Sequence, residues 1–488
     1  MTTHAQRPSL RSSSAGDAGP TARTQAQAGV DYELVGSIRT AVLDRLEQYT
    51  DRHQLDRHDQ QQLLRSWLQE ELGRESRRRM VDGGGLPQLS PQAETALIQA
   101  VENAIWGLGP WQELLDIPNV QDIYLAGARL PMLRMRDGRI EQACQRIVDS
   151  DEELTQQIQH IAAYHGSSER AFSPSQSRLD MQLPDGSRMS ALRDVAPYPI
   201  VTIRRHHLVD VTLAILVELG MLSEQMARFL AVLVQARCSI LVTGRPVSGK
   251  TTLLRALAAV ISALERFATL ETEFELNLHR IGRHPLIVPL ECRMGSTEID
   301  PSTGRRAGEI TLSDLVHSVL RHSVTRVIVG EVRGEEALPM LEVMNAGMPG
   351  SMCTLHASSP SEAFDRLITA ALRAGGHGWS DNRMTRLAAS GIKYVVQLRH
   401  IDYTGTGGAQ HRFVSEIAEV TDVNEAGVVA MNQIFGPERG SGDPRGVFQT
   451  LPQIRDPFDE NGIDLSFLHD RELGWQSPLQ LGVAWRRG

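Results

Sequence analysis

The stretch Cys238-Ser-Ile-Leu-Val-Thr-Gly244-Arg-Pro-Val-Ser-Gly249-Lys250-Thr-Thr-Leu-Leu-Arg-Ala-Leu-Ala258 decides the reading of this chain. Its first part is a short apolar run, Ser239 to Thr243, which predicts a buried strand. The spacing Gly244-x4-Gly249-Lys250-Thr251 comes next, and a run of good helix formers follows it. Strand, glycine-bounded loop and helix in that order form a phosphate loop. Its backbone N–H groups converge on an anion, and the helix N-terminus adds a favourable dipole. The candidate nucleotide-binding residues are Gly244, Arg245, Pro246, Val247, Ser248, Gly249, Lys250, Thr251 and Thr252. Lys250 supplies a compact charge for outer phosphates, and Thr251 offers its hydroxyl to Mg2+. Two positions depart from the usual loop. Pro246 lacks an N–H, and Val247 stands where many such loops place glycine to reach positive φ.

The 488 residues carry 50 Lys and Arg against 59 Asp and Glu, a net charge of −9. That balance argues against a global basic field for non-specific nucleic-acid binding. The chain has only two lysines, Lys250 and Lys393, so one of them occupies the position where the loop needs an ammonium. Four cysteines lie far apart without a CxxC pair, which points to a reducing compartment rather than a disulfide scaffold. The apolar stretch Val211 to Leu222 is interrupted by Glu218 and too short to cross a bilayer. The first residues lack the apolar run of a secretory signal, and the expected location is the cytoplasm.

Nucleotide hydrolysis needs a carboxylate near water and positive charge for the transition state. Arg326-Val-Ile-Val-Gly-Glu331-Val-Arg333-Gly334 offers both, because a buried strand would deliver Glu331 at its C-terminal end. Neither lysine follows an asparagine, so no NKxD guanine-reading motif exists and ATP is the expected nucleotide.

Outward from the loop, composition and periodicity divide the chain into five segments: a disordered tail over 1–29, a helical extension with a Gly-rich linker over 30–88, an α+β N-terminal domain over 89–208, an α/β phosphate-loop domain over 209–436 and a C-terminal extension over 437–488. Leu34, Ile38, Val42 and Leu46 recur at helical spacing, and Gly83-Gly84-Gly85 forms a joint. Thr95 to Leu108 predicts a helix of the α+β domain. Leu179 to Ala191 alternates around Pro184-Asp185-Gly186 and predicts a hairpin. From Ser239 strands and helices alternate, which predicts a mainly parallel, doubly wound sheet closed by a hairpin over Arg412–Val420 and Val428–Phe435. The fold class is therefore α/β, a phosphate-loop domain preceded by an α+β domain.

Several further motifs appear in one order: Gly107-Leu-Gly-Pro110, Leu183-Pro-Asp-Gly-Ser-Arg188, Thr202-Ile-Arg-Arg205, Thr269-Leu-Glu-Thr-Glu-Phe-Glu-Leu276, Val329-Gly-Glu-Val-Arg-Gly334 and Gly350-Ser-Met-Cys-Thr-Leu-His-Ala357. With them, from Gly107 to Leu468, the chain resembles a secretion ATPase of the type II/type IV superfamily, and within it the CpaF branch that powers tight-adherence (Flp) pilus assembly. The resemblance implies that Glu331 matches the Walker B glutamate acting on water or Mg2+, and that Glu271 and Glu275 belong to an acidic box. It implies that His356 senses the γ-phosphate and that Arg204 reaches nucleotide from the N-terminal domain. Arg321 and Arg333 match family arginines that supply charge. Thr272 replaces the second acid of a Glu-Asp pair, Met348 the first histidine of the His-box, and Ser323 a second arginine.

The same resemblance implies that the domain over 209–436 is a RecA-like ATPase domain, and that the chain forms a homo-hexamer that binds ATP and Mg2+ and works at the cytoplasmic membrane on an inner-membrane platform protein, with pilin-like substrates beyond it and no direct nucleic acid. The expected function is an ATP-hydrolysing motor. A slow or non-catalytic nucleotide-gated subunit is the alternative, and a nucleic-acid translocase is the weaker one.

Overall fold

The structure, a computed structural model, describes residues 32–50, 57–81, 90–106, 108–165, 172–205, 210–293, 295, 298–302, 304–375, 378–404, 408–425 and 427–479. The expected N-terminal tail, the Gly83–Gly85 joint and the last nine residues lie outside them. The chain divides into two compact units, the first ending at Glu113 and the second starting at Leu114.

In the first unit, helices α1 (Tyr32–Thr50), α2 (Arg57–Val81) and α3 (Pro91–Trp106) share one core. Val35, Ile38 and Val42 meet Leu64, Trp67, Leu68 and Leu72, joined by Leu97, Ala100 and Val101 of α3. The helical spacing of these apolar residues is what turns them to one side. The expectation that the 95–108 helix belongs to the α+β domain is corrected here: its apolar stripe is covered by α1 and α2. A further helix, α4 (Pro110–Asp116), follows.

The second unit starts with a six-stranded antiparallel sheet. Its strands are β1 (Val120–Ala126), β2 (Met132–Met135), β3 (Ile140–Gln142), β4 (Arg178–Gln182), β5 (Arg188–Leu192) and β6 (Ile200–Arg204), in the order β3-β2-β1-β6-β5-β4, with α5 (Asp151–His165) between β3 and β4. The β4–β5 hairpin turns at Pro184–Gly186, as the sequence predicts. Gly186 takes φ +87°, a conformation glycine reaches without penalty.

Two helices, α6 (Leu213–Glu218) and α7 (Glu224–Gln235), lead to a nine-stranded sheet. It comprises β7 (Ile240–Gly244), β8 (Ala268–Glu271), β9 (Val288–Glu291), β10 (Val327–Val332), β11 (Met352–His356), β12 (Tyr394–Asp402), β13 (Gln410–Val423), β14 (Val429–Pro437) and β15 (Gly446–Phe448). The order is β15-β14-β13-β12-β7-β11-β10-β8-β9. The six strands from β12 to β9 in that order pair in parallel, and β13 to β15 close the sheet antiparallel. Alternate side chains enter two cores. Ile240 and Val242 face α6, α7 and α8 (Lys250–Ala258), whereas Leu241, Val329 and Cys353 face α10 (Leu312–Val319), α11 (Ala337–Asn345), α12 (Pro360–Gly375) and α13 (Asp381–Gly391). The short α9 (Leu278–Ile281) lies between β8 and β9. This is the RecA-like α/β arrangement that the sequence predicts.

The segment beyond 436 is more than an extension. β15 joins the sheet, and Phe458 of α14 (Asp456–Asp459), Leu465 and Leu468 are buried against α7. The buried Glu419 carboxylate accepts the Gln453 N–H at 2.7 Å and the Ile454 N–H at 2.9 Å, which fastens this return. Gly, Pro and Asp dominate the composition there and hide the few large apolar anchors. Among the described residues no helix is long and apolar enough to cross a membrane.

Candidate active site

Strands β8, β10, β11 and β7 are neighbours in the sheet and parallel, so their C-terminal ends line up. Each end delivers one element of the site: Glu271, Glu331, His356 and the loop before Lys250. Ligands of open α/β sheets bind at such edges.

The loop leaves β7 at Gly244 (φ +158°) and enters α8 at Gly249 (φ +95°). No side chain caps α8, so its first N–H groups are open to an anion. Arg245 and Pro246 are exposed, Val247, Thr251 and Thr252 half-buried, and Ser248 and Lys250 buried. Val247 occupies the left-handed region at φ +65°, where the sequence raises the need for glycine.

Lys250 Nζ donates to Gly244 O at 3.2 Å and Arg245 O at 3.4 Å, and lies 2.9 Å from His356 Nδ1. An ammonium has donors only, so Nδ1 accepts and the imidazole proton sits on Nε2. Nε2 in turn lies 2.6 Å from Glu331 Oε1. Glu331 Oε2 accepts from Arg333 Nε at 2.7 Å and also from Arg333 Nη2. Lysine, imidazole, carboxylate and guanidinium form one continuous chain. Burial lowers the Lys250 pKa to about 8 despite the opposing pull of Glu331 and Glu275. For Glu331 burial pushes upward, but hydrogen bonds from His356 and Arg333 outweigh it and hold the carboxyl at about 2.

Glu271 is buried beside this chain. Its Oε2 accepts the Glu275 and Leu276 N–H groups at 2.8 and 2.7 Å, and its Oε1 has no hydrogen-bond partner among the described residues. Gly330 leaves room for it, since an added Cβ would meet Glu271 Cγ at 3.1 Å. Burial raises the Glu271 pKa to about 7, against the two backbone donors. The native state therefore holds a proton that the unfolded chain releases, so this contribution to stability is full below pH 4.5 and disappears as pH rises through 7. Glu271→Gln, which mimics the neutral acid, is expected to flatten the fall in stability between pH 5 and pH 8. Urea midpoints at the two pH values check this, and parallel profiles for the two proteins contradict it.

The acidic loop is held from two sides. Arg255 of α8 donates to Leu276 O at 3.1 Å and to Glu275 O, and Arg188 of β5 pairs with Glu273 at 2.8 Å and Glu275 at 3.0 Å. Thr272, where the second acid of the pair is expected, is exposed. Arg204 is tied to Asp122 at 2.8 Å rather than to the Lys250–His356–Glu331 chain. Arg321 is exposed just past α10, away from the contacts that unite the other candidates.

Three residues were missed from sequence: Arg188, Arg255 and Arg412. Arg188 closes the Leu183–Arg188 motif, so its presence there was a signal. Arg255 sits five residues past Lys250, about 140° round α8 from it, so helical spacing does not tie it to the loop. Arg412 of β13 reaches the phosphate loop from a strand far away in sequence, and no local pattern announces it.

Mg2+ fits this donor set: the Glu331 carboxylate is ionised and the Thr251 hydroxyl lies in the first turn of α8.

The type II/IV secretion system protein family matches residues 119–424. A Mycobacterium tuberculosis protein named for conjugal transfer is 32% identical over 245 residues, covering 50% of this chain and 63% of its own length. The type IV secretion system protein PtlH of Bordetella pertussis is 37% identical over 139 residues, 28% of this chain and 38% of that protein. The chain thus spans less than two thirds of these relatives. Among solved structures it is similar to the VirB11 ATPase of the Brucella suis type IV secretion system, at 25% identity and TM-score 0.33 over 67% of this chain and 96% of that one.

Proposed function

The chain belongs to the type II/IV secretion system protein family, and from that premise we propose that it is an ATP-hydrolysing motor of a secretion or pilus assembly system. One observation carries the reading: His356 stands between Lys250 and Glu331 at 2.9 and 2.6 Å, on the sheet edge where a phosphate loop opens. Lys250 and the α8 N-terminus bind the outer phosphates. Lys250 then turns from His356 to the nucleotide, which frees Nδ1 to register that the γ-phosphate is present. Glu331 orients the attacking water, with Glu271 and Glu275 on its flank. Arg333 stabilises developing charge, and Arg204 and Arg321 contribute to the same end when the surrounding elements close on nucleotide. Thr251 and Glu331 would hold Mg2+, which neutralises phosphate charge when bound.

The finer reading is a CpaF-like hexamer in the cytoplasm, peripheral at the membrane, that acts on an inner-membrane platform protein and through it on pilin-like substrates. Phosphate release from Mg-ATP by the purified chain, with and without DNA, tests the proposal. Turnover that DNA leaves unchanged is the expected result. The exposed Thr272 in place of an acid favours a second reading, a slow nucleotide-gated subunit. Binding of ATP without turnover would select it.

A further inference from the structure

A β-branched residue at φ +65° is strained and persists only where its surroundings hold it. Val247 is held by its carbonyl oxygen, which accepts from Arg412 Nε at 2.8 Å. Arg412 is itself fixed: its Nη2 donates to Gln410 Oε1 at 2.9 Å, and Gln410 Nε2 donates to the Arg136 carbonyl in the turn after β2. His400 Nε2 lies 3.3 Å from the same Gln410 oxygen. Beside this path Arg134 pairs with Asp402 at 3.3 Å, so the β2–β3 turn of the antiparallel sheet is docked on the β12–β13 hairpin of the larger sheet.

Resting on the nucleotide-binding reading above, we propose that Arg412 is a positioning residue that sets the crest of the phosphate loop, and that the antiparallel domain acts on it through Gln410. The peptide plane gives the reason. In a trans peptide the carbonyl and the following N–H point in opposite directions. Pinning the Val247 oxygen toward Arg412 turns the Ser248 N–H to the inner side of the loop. There it makes a 3.3 Å bond to Arg245 O, long enough to be exchanged for a phosphate oxygen. Where other loops obtain this geometry from glycine, this chain has a valine and an arginine that braces it. Movement of the β2–β3 turn would then be felt at the loop without contact between that turn and the nucleotide.

Equilibrium binding of a fluorescent ATP analogue to the full chain tests the proposal, in wild type, Arg412→Ala, Arg412→Lys, Val247→Gly and the Arg412→Ala/Val247→Gly double variant. Arg412→Ala is expected to weaken binding about tenfold, about 1.4 kcal/mol. Arg412→Lys falls between, because an ammonium cannot serve Val247 and Gln410 with one rigid fork. Val247→Gly sets its own baseline, and in its background the Arg412→Ala loss shrinks below about threefold, since glycine needs no brace. A misfolded Arg412→Ala would not recover in that way. Equal losses in both backgrounds, or no loss in either, overturn the assignment of Arg412. A wild-type chain that binds no nucleotide overturns the proposed function itself, and this inference with it.

Discussion

Glu331→Gln is expected to slow phosphate release from ATP by about 10²- to 10⁴-fold, the range associated with loss of a positioned proton acceptor. Nucleotide affinity should stay within about threefold of wild type. The shape of the side chain is preserved and the phosphate contacts come from elsewhere, so the loss falls on the chemical step. The geometry adds a qualification of mechanism. With His356 at 2.6 Å and Arg333 at 2.7 Å, the Glu331 carboxyl is held at about 2 and is a weak base. Its first duty in this arrangement is to orient water by accepting a hydrogen bond. It gains basicity only when Arg333 or His356 lets go, and the turn of Lys250 toward phosphate is the event that disturbs His356. Phosphate release and analogue binding measured on both proteins check the expectation. Equal turnover would remove Glu331 from its role.

The second large effect is at Lys250. Lys250→Ala is expected to abolish nucleotide binding, a loss of at least about 100-fold, and Lys250→Arg to fail nearly as badly. The ammonium sits almost buried among Gly244 O, Arg245 O and His356 Nδ1, three acceptors for its three donors. A guanidinium is planar and wider, and its fork does not match three acceptors converging on one point. Burial has already brought the Lys250 pKa down to about 8, so the group gains strongly from an anionic ligand. Titration of both variants with the fluorescent analogue measures this. Arginine at 250 with retained affinity would contradict it.

These expectations rest on parts of the molecule that differ in how legible they are in sequence. The phosphate loop, Glu331 at a strand end and the Pro184–Gly186 turn are readable because each depends on neighbours within a few residues. The positive φ at Val247 belongs to the same class, because the loop's own geometry demands it. The placement of α3 was not readable: periodicity announces an apolar face but does not say what covers it. The return of Phe458, Leu465 and Leu468 was obscured by the polar composition around them. Arg412 was invisible for a related reason. An arginine on an alternating strand looks like a solvent-facing residue until the partner strand and the loop are placed beside it.

The anchoring of α7 by the far end of the chain has a consequence for how the protein is made. Gln225 donates to Leu468 O at 2.7 Å, and the core around Phe229 includes Phe458. Those partners leave the ribosome more than two hundred residues apart, so the phosphate-loop sheet cannot finish one of its two cores until Phe458 and Leu468 have been made. The three-helix unit and the antiparallel sheet have all their strands and helices long before that. Synthesis therefore passes through a stage with two folded parts and one open apolar face, the stage at which a chaperone matters most.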